Sequence, residues 1–278
     1  MGPIEGKSVL ITGSTSGLGY ETARALIAGG ASVLVHGRNR ERVDRTLTEL
    51  GGNGRGASPR GFAADLSSLG ETRRLAREVT GTVDRLDLLV NNAGIAGADG
   101  KRRQSSDGHE LTFAVNHLAH FLLTLELLDL LRESAPARVV NVSSLAQTAI
   151  DFDDLMLERR YDDHRAYSQS KLAQVEFTIE LHQRLLASGE EGVAITALHP
   201  ATLMDTRMVR EAFGGARTSV AEGVGAVLHL AARAEDVGGR YFDGIRESSA
   251  HQQAYDPDAR ARLWEVSERL TGASLRRS

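Results

Sequence analysis

The chain has 278 residues, 41% of them hydrophobic, which is enough to fill one large α/β domain or two small ones and too apolar for a disordered linker. A formal net charge of -4 and a pI near 6.2 speak against nucleic acid or an anionic membrane as partner. With no cysteine, metal–thiolate, disulfide and thiol chemistry are excluded.

Short apolar, β-branched runs alternate with amphipathic helical stretches from end to end. Strands are expected at residues 8–12, 32–37, 60–64, 86–91, 138–143, 193–199 and 239–242. Between them, Leu69, Thr72, Leu75, Ala76 and Val79 keep helical spacing, as do Ala173, Phe177, Leu181 and Leu185. Apolar strands alternating with helices predict a parallel sheet covered on both faces. The expectation is one domain over residues 1–278, a Rossmann-type doubly wound sheet of about seven strands. The glycine-rich stretch 51–61 reads as a surface loop, too short to separate domains. The chain passes within a few residues of its start into the first strand, so no signal peptide is expected, and Gly6 stands where a myristoylation signal needs Ser or Thr. The longest apolar stretch, 121–131, is cut by Glu126 and Asp129 and is too short for a bilayer. These readings predict a soluble cytoplasmic protein with no membrane partner.

After the first strand comes Gly13-Ser14-Thr15-Ser16-Gly17-Leu18-Gly19 and then a helix. Glycines at a strand-to-helix turn let backbone N–H groups approach a phosphate, and the helix N-terminus adds partial positive charge. The end of the second strand ordinarily carries an acid for the adenine ribose. Here it reads His36-Gly37-Arg38-Asn39, with an arginine suited to a 2′-phosphate, so NADP(H) is favoured over NAD(H). The plainer reading of Arg38 is a surface residue at a helix start. His117 and His120 share a helical face without a third ligand, and Asp151, Asp153 and Asp154 lack the glycine of a calcium loop, so no metal is expected. Trp264 and Leu263 are expected to pack on the body of the protein.

Tyr167 and Lys171 stand four residues apart in a helical segment and so share a face. A phenol with a reference pKa near ~10 beside an ammonium is drawn towards phenolate, which suits proton transfer near neutrality.

Together with Asn91-Asn92-Ala93-Gly94 after the fourth strand, Asn116, and Ser143 after the fifth, these motifs resemble the short-chain dehydrogenase/reductase family over essentially the whole chain. Residues 115–121, 142–145 and 166–172 resemble its retinol-dehydrogenase-like branch. The resemblance implies that Tyr167 exchanges a proton with the substrate oxygen and that Lys171 lowers the phenol pKa and holds the nicotinamide ribose. It further implies that Ser143 hydrogen-bonds the substrate oxygen and that Asn116 holds a water leading from Lys171 to solvent. Asp65 and Leu66 are expected by the adenine, Asn92, Ala93 and Gly94 along the ribose, and Pro200, Ala201 and Thr202 at the nicotinamide. Where the family has Pro-Gly-x-Val-x-Thr, this chain has Pro200-Ala201-Thr202-Leu203-Met204-Asp205-Thr206, which leaves open which threonine meets the carboxamide. Leu145, Leu155, Met156, Met204, Met208 and Phe213 suggest an apolar pocket for a small lipophilic carbonyl or alcohol. The alternative is a non-catalytic dinucleotide sensor on the same fold. The apolar helices around residues 116–131 and Tyr167 suggest a homodimer or homotetramer, as in many family members.

Overall fold

The computed structural model describes residues 4–51, 58–233 and 237–276. Residues 1–3, most of the glycine-rich loop expected at 51–61, and the side chain of Phe213 lie outside what it describes. One sheet of eight strands organises the chain: β1 (Ser8–Ile11), β2 (Ser32–Gly37), β3 (Arg60–Ala63), β4 (Leu88–Asn91), β5 (Ala137–Val142), β6 (Val193–His199), β7 (Tyr241–Asp243) and β8 (Arg246–Ser248). Their order is β3-β2-β1-β4-β5-β6-β7-β8, all parallel except β8, which pairs antiparallel with β7. The eighth strand exceeds the expected seven. It is short, polar and exposed, so no apolar run announces it, and it returns from β7 through the tight turn Gly244-Ile245, with Gly244 at φ 59°.

Alternate side chains of each strand feed opposite faces. Val9, Ile11, Val33, Val35, Leu88 and Val90 face α1 (Gly17–Ala28), α2 (Arg40–Leu50) and α9 (Val220–Ala232). Leu10, Leu34, Leu89, Val139 and Ile195 face α3 (Leu69–Thr80), α5 (Ala119–Glu126), α7 (Asp163–Ala187) and α10 (Pro257–Thr271). Each such residue, fully buried, contributes about 1.5–3 kcal/mol of transfer free energy. The residues expected on the inner stripes of α3 and α7 are buried without exception. The remaining helices are the short turns α4 (Leu111–Phe113), α6 (Leu128–Glu133) and α8 (Arg207–Phe213). Between α4 and α5 a π-helical segment, Ala114–Leu118, carries Asn116. Among the described residues no helix is long and apolar enough to cross a membrane.

α10 packs where copies of the chain were expected to pack. Trp264 lies 5.0 Å from Phe121 and 6.1 Å from Phe177 between ring centroids, with the Arg184 guanidinium 4.4 Å from its ring centroid. Apolar side chains of α5 and α7 are therefore covered in part from within the chain. In the 151–154 turn Asp151 pairs with Arg165 and Asp153 with Arg262.

Candidate active site

Strand order reverses between β1 and β4, and a cleft opens there at the carboxyl ends of the strands. Its cavity volume of about 770 Å³ falls in the range of small-molecule and cofactor sites. Of the residues singled out in the sequence, Gly13, Ser16, Gly17, Leu18, Gly19, Arg38, Asp65, Leu66, Asn92, Ala93, Gly94, Ser143, Tyr167, Lys171, Pro200, Ala201 and Thr202 line it.

The glycine turn is shaped by close approach. A Cβ on Gly13, at φ 67°, would lie 2.9 Å from the Ala93 Cα, and one on Gly19 would lie 2.5 Å from the Gly13 carbonyl oxygen. Asn92 Nδ2 donates to the Thr12 carbonyl at 2.8 Å, and Asn92 N and Ala93 N donate to Thr12 Oγ1 at 2.9 Å each. These bonds tie the β1 turn to the β4 turn. At the start of α1, Ser16 makes no side-chain cap and the first turn has no acidic residue, so its N–H groups and partial positive charge are open to an anion. Ser14 is different from its neighbours in the turn. It is fully buried, donates to the Ile11 carbonyl and accepts from His36 N, so it braces the turn from beneath and does not line the cleft.

At the adenosine end Arg38 is exposed at the tip of β2, and Arg42 lines the same cleft from the first turn of α2. Asn39 caps that helix by accepting from Arg42 N at 3.0 Å, which fixes where the second guanidinium leaves the backbone. Arg42 was not singled out in the sequence. Beneath the turn, His36 Nδ1 accepts from Gly13 N at 3.1 Å, so its Nε2–H donates to the Ala64 carbonyl at 3.1 Å. Burial lowers its pKa to about 4, which keeps the ring neutral. With two guanidinium groups at one end and a glycine cradle at a helix N-terminus, the residues fit an NAD(P) cofactor.

At the other end, the hydroxyl facing the Tyr167 phenol is that of Ser144. Ser143 Oγ instead donates to the Lys171 main-chain carbonyl at 2.7 Å. The hydroxyl beside the phenol thus belongs to the residue after Ser143, the serine expected to meet the substrate oxygen, and both serines line the cleft. The two adjacent hydroxyls are chemically identical, and only the exit geometry of β5 decides which faces the phenol. Tyr241 Oη and Gln147 Nε2 donate to the Ser144 carbonyl at 2.9 and 2.7 Å and hold it in place.

Burial pushes the Tyr167 phenol up from its ordinary value, with Ser144 pulling it back. Lys171 Nζ lies 5.6 Å from the phenol ring centroid and donates to the Val142 carbonyl and to Gln174 Oε1, both at 2.9 Å. Burial lowers its own pKa to about 7. Two of its three N–H groups are thus spent on the Val142 carbonyl and Gln174, and loss of solvation is the first cause of the shift in both Tyr167 and Lys171. Asn116 is tied to the main chain of Ile95 and to Ser170. Its Oδ1 accepts from Ile95 N, and its Nδ2 donates to the Ile95 carbonyl and to Ser170 Oγ. Both Nδ2 hydrogens are used, and the side chain pins the chain just after Gly94, outside the cleft lining.

Beyond β6, Thr202 Oγ1 lies 3.1 Å from His199 Nε2, whereas Thr206 caps α8 by accepting from Val209 N at 3.3 Å. Both threonines line the cleft. Ile95, Leu145, Met204, Met208 and Val209 give its mouth an apolar wall. Leu155 and Met156, also expected there, pack against the core instead.

A family model described as short chain dehydrogenase matches residues 7–216. Retinol dehydrogenase 13 of Mus musculus is 38% identical over 98% of this chain and 86% of its own length, and retinol dehydrogenase 12 of Homo sapiens is 36% identical over 97% and 87%. Among solved structures, an uncharacterized protein from Mycobacterium paratuberculosis superposes with a TM-score of 0.79 at 32% identity, covering 99% of this chain and 97% of its own. The Pseudomonas aeruginosa RhlG/NADP active-site complex superposes with a TM-score of 0.71 at 28% identity, covering 87% and 97%. With a family model over three quarters of its length and relatives this similar over nearly all of it, the chain belongs to the short-chain dehydrogenase family, is retinol-dehydrogenase-like, and is an NAD(P)-dependent oxidoreductase acting on CH–OH groups.

Proposed function

We propose that the enzyme interconverts a ketone or aldehyde and the corresponding alcohol on a small lipophilic substrate, with NADP(H) favoured over NAD(H). The observation that carries this reading is the Tyr167 phenol hydrogen-bonded to the Ser144 hydroxyl in the cleft, with Lys171 one helical turn on. The bound nicotinamide supplies or accepts the hydride. Tyr167 gives its proton to the carbonyl oxygen in reduction and takes it back in oxidation. Ser144 donates to the same oxygen and stabilises the charge that grows on it. Lys171 holds positive charge 5.6 Å from the phenol ring centroid, with a proton affinity near neutrality that lets it share in reprotonation. Ser143 and Asn116 position these groups, the first by its bond to the Lys171 carbonyl and the second through Ile95.

Arg38 and Arg42 hold the 2′-phosphate, the N–H groups at the start of α1 hold the pyrophosphate, and Asp65 and Leu66 border the adenine. Asn92, Ala93 and Gly94 line the ribose, and Pro200, Ala201 and Thr202 border the nicotinamide. The apolar mouth and the retinol dehydrogenase names of the relatives support a lipophilic alcohol or carbonyl. The test is a panel of aliphatic and polyene ketones, aldehydes and alcohols assayed with NADPH and NADP. The proposal expects turnover of at least one lipophilic pair. NADPH binding without turnover of any pair refutes it in favour of a sensor.

A further inference from the structure

Behind Lys171 lies a buried polar chain that the proposed chemistry does not use. Lys171 Nζ donates to Gln174 Oε1 at 2.9 Å, Gln174 Nε2 lies 3.2 Å from His120 Nδ1, and His120 Nε2 lies 3.2 Å from Thr12 Oγ1. His120 Nδ1 also lies 3.0 Å from the Asn116 carbonyl. All four side chains are almost wholly buried, so water cannot correct a mismatched donor or acceptor.

Counting donors assigns the tautomer. Thr12 Oγ1 already accepts from Asn92 N and Ala93 N, which fills both its lone pairs. Its own proton then goes to His120 Nε2 at 3.2 Å rather than to the Val90 carbonyl at 3.4 Å. His120 therefore carries its hydrogen on Nδ1 and donates it to the Asn116 carbonyl. That N–H also faces the Gln174 amide. With the amide oxygen turned to the ammonium, an amide N–H points at the imidazole N–H. With the amide turned over, its oxygen shares the His120 N–H with the Asn116 carbonyl, and its nitrogen can donate only to an uncharged Lys171 amine.

We infer that Gln174 and His120 are positioning residues that set how tightly Lys171 holds its proton, because the His120 Nδ1–H and the Lys171 ammonium compete for the one oxygen of the Gln174 amide. The inference rests on the proposed role of Lys171 in the cleft. The titratable groups facing Lys171 are Tyr167 on its own helix, His120 across from it and His199 at the end of β6, and no carboxylate among the described residues shifts it. The lowered pKa of Lys171 agrees with this arrangement, with burial as its main cause.

The chain has three lysines, Lys7, Lys101 and Lys171, so an NMR titration of lysine ¹³Cε shows Lys171 among three signals, assigned by its loss in Lys171→Met. His120→Leu removes the competing N–H and moves the Lys171 midpoint up, by about one pH unit for a hydrogen bond to a charged group. Gln174→Leu removes the acceptor and moves it down by about as much. In the double variant His120→Leu adds nothing, because the coupling passes through Gln174. His120→Asn, which keeps an N–H near the place of Nδ1, leaves the midpoint at the wild-type value. Shifts of the two single variants in the same direction overturn the inference, as does a His120→Leu shift that survives in the Gln174→Leu background. If His120→Leu does not fold, an unchanged midpoint in Gln174→Leu overturns it as well. The titration needs no turnover, so a failure of the catalytic reading, seen as an active Tyr167→Phe enzyme, is recorded separately.

Discussion

Glu176 sits on α7 with no exposed surface, and neither carboxylate oxygen has a hydrogen-bond partner among the described residues. Burial pushes its pKa up to about 8, against the pull of Arg260 and with Asp256 adding to the rise. Arg260 cannot rescue it, being engaged by Glu180 at 3.3 Å, Gln183 at 3.0 Å and the Ala254 carbonyl at 3.0 Å. The folded carboxyl therefore stays protonated where the unfolded one ionises. The folded state binds the extra proton between the ordinary pKa of 4.5 and about 8, so stability from this group is full below that window and falls as pH rises through it. At 1.36 kcal/mol per pH unit the loss by pH 8 is at most roughly 4 kcal/mol, and about half that if the site relaxes. Glu176→Leu removes the titration and leaves no orphaned partner. Its Tm should match wild type closely at pH 5 and exceed it by ~5–10 °C at pH 8, on a scale of ~2–4 °C per kcal/mol for a chain of this size. Calorimetry or circular dichroism across that range reads the difference. A gain independent of pH, or a loss at pH 8, refutes the reasoning.

Arg38→Ala should weaken NADPH about 10- to 150-fold, the value of one charged hydrogen bond, and leave NADH unchanged. Arg42→Ala should act in the same direction, and equal use of the two cofactors by the wild-type enzyme would make both arginines surface residues. Ser144→Ala should lower kcat by about 10²-fold, the usual scale for one oxyanion donor, whereas Ser143→Ala should chiefly lower Tm; the reverse pattern restores Ser143 as the substrate-facing hydroxyl. With α10 covering part of α5 and α7, light scattering should give a monomer at micromolar concentration, and a dimer disrupted by substitutions on α5 or α7 would contradict that packing.

The sheet was readable because its inner strands are apolar throughout, with β2 and β6 matching their expected bounds and the others shifted by a residue or two at their ends. β8 was hidden because an exposed edge strand of Arg246, Glu247 and Ser248 carries no hydrophobic pattern. The cleft was readable where chemistry is local, as in the glycine turn and the Tyr167–Lys171 pair. It was not readable where a role depends on which way a side chain turns: Ser143 against Ser144, Ser14 beneath its turn, and Asn116 closed on Ile95. The self-covering of α7 was equally out of reach. Leu263 and Trp264 were expected to pack on the body, but the helix they would cover is fixed only by the tertiary path of the chain.

The proposed chemistry stands on the Tyr167 hydroxyl. Tyr167→Phe removes one oxygen from the cleft and leaves the glycine turn, Arg38, Arg42 and Lys171 in place. Steady-state turnover of the best carbonyl substrate with NADPH, measured beside NADPH affinity by fluorescence, tests the claim directly. The account predicts a fall in kcat of at least ~10²–10⁴-fold with cofactor binding kept within a few-fold. Turnover near the wild-type rate in that variant would contradict it.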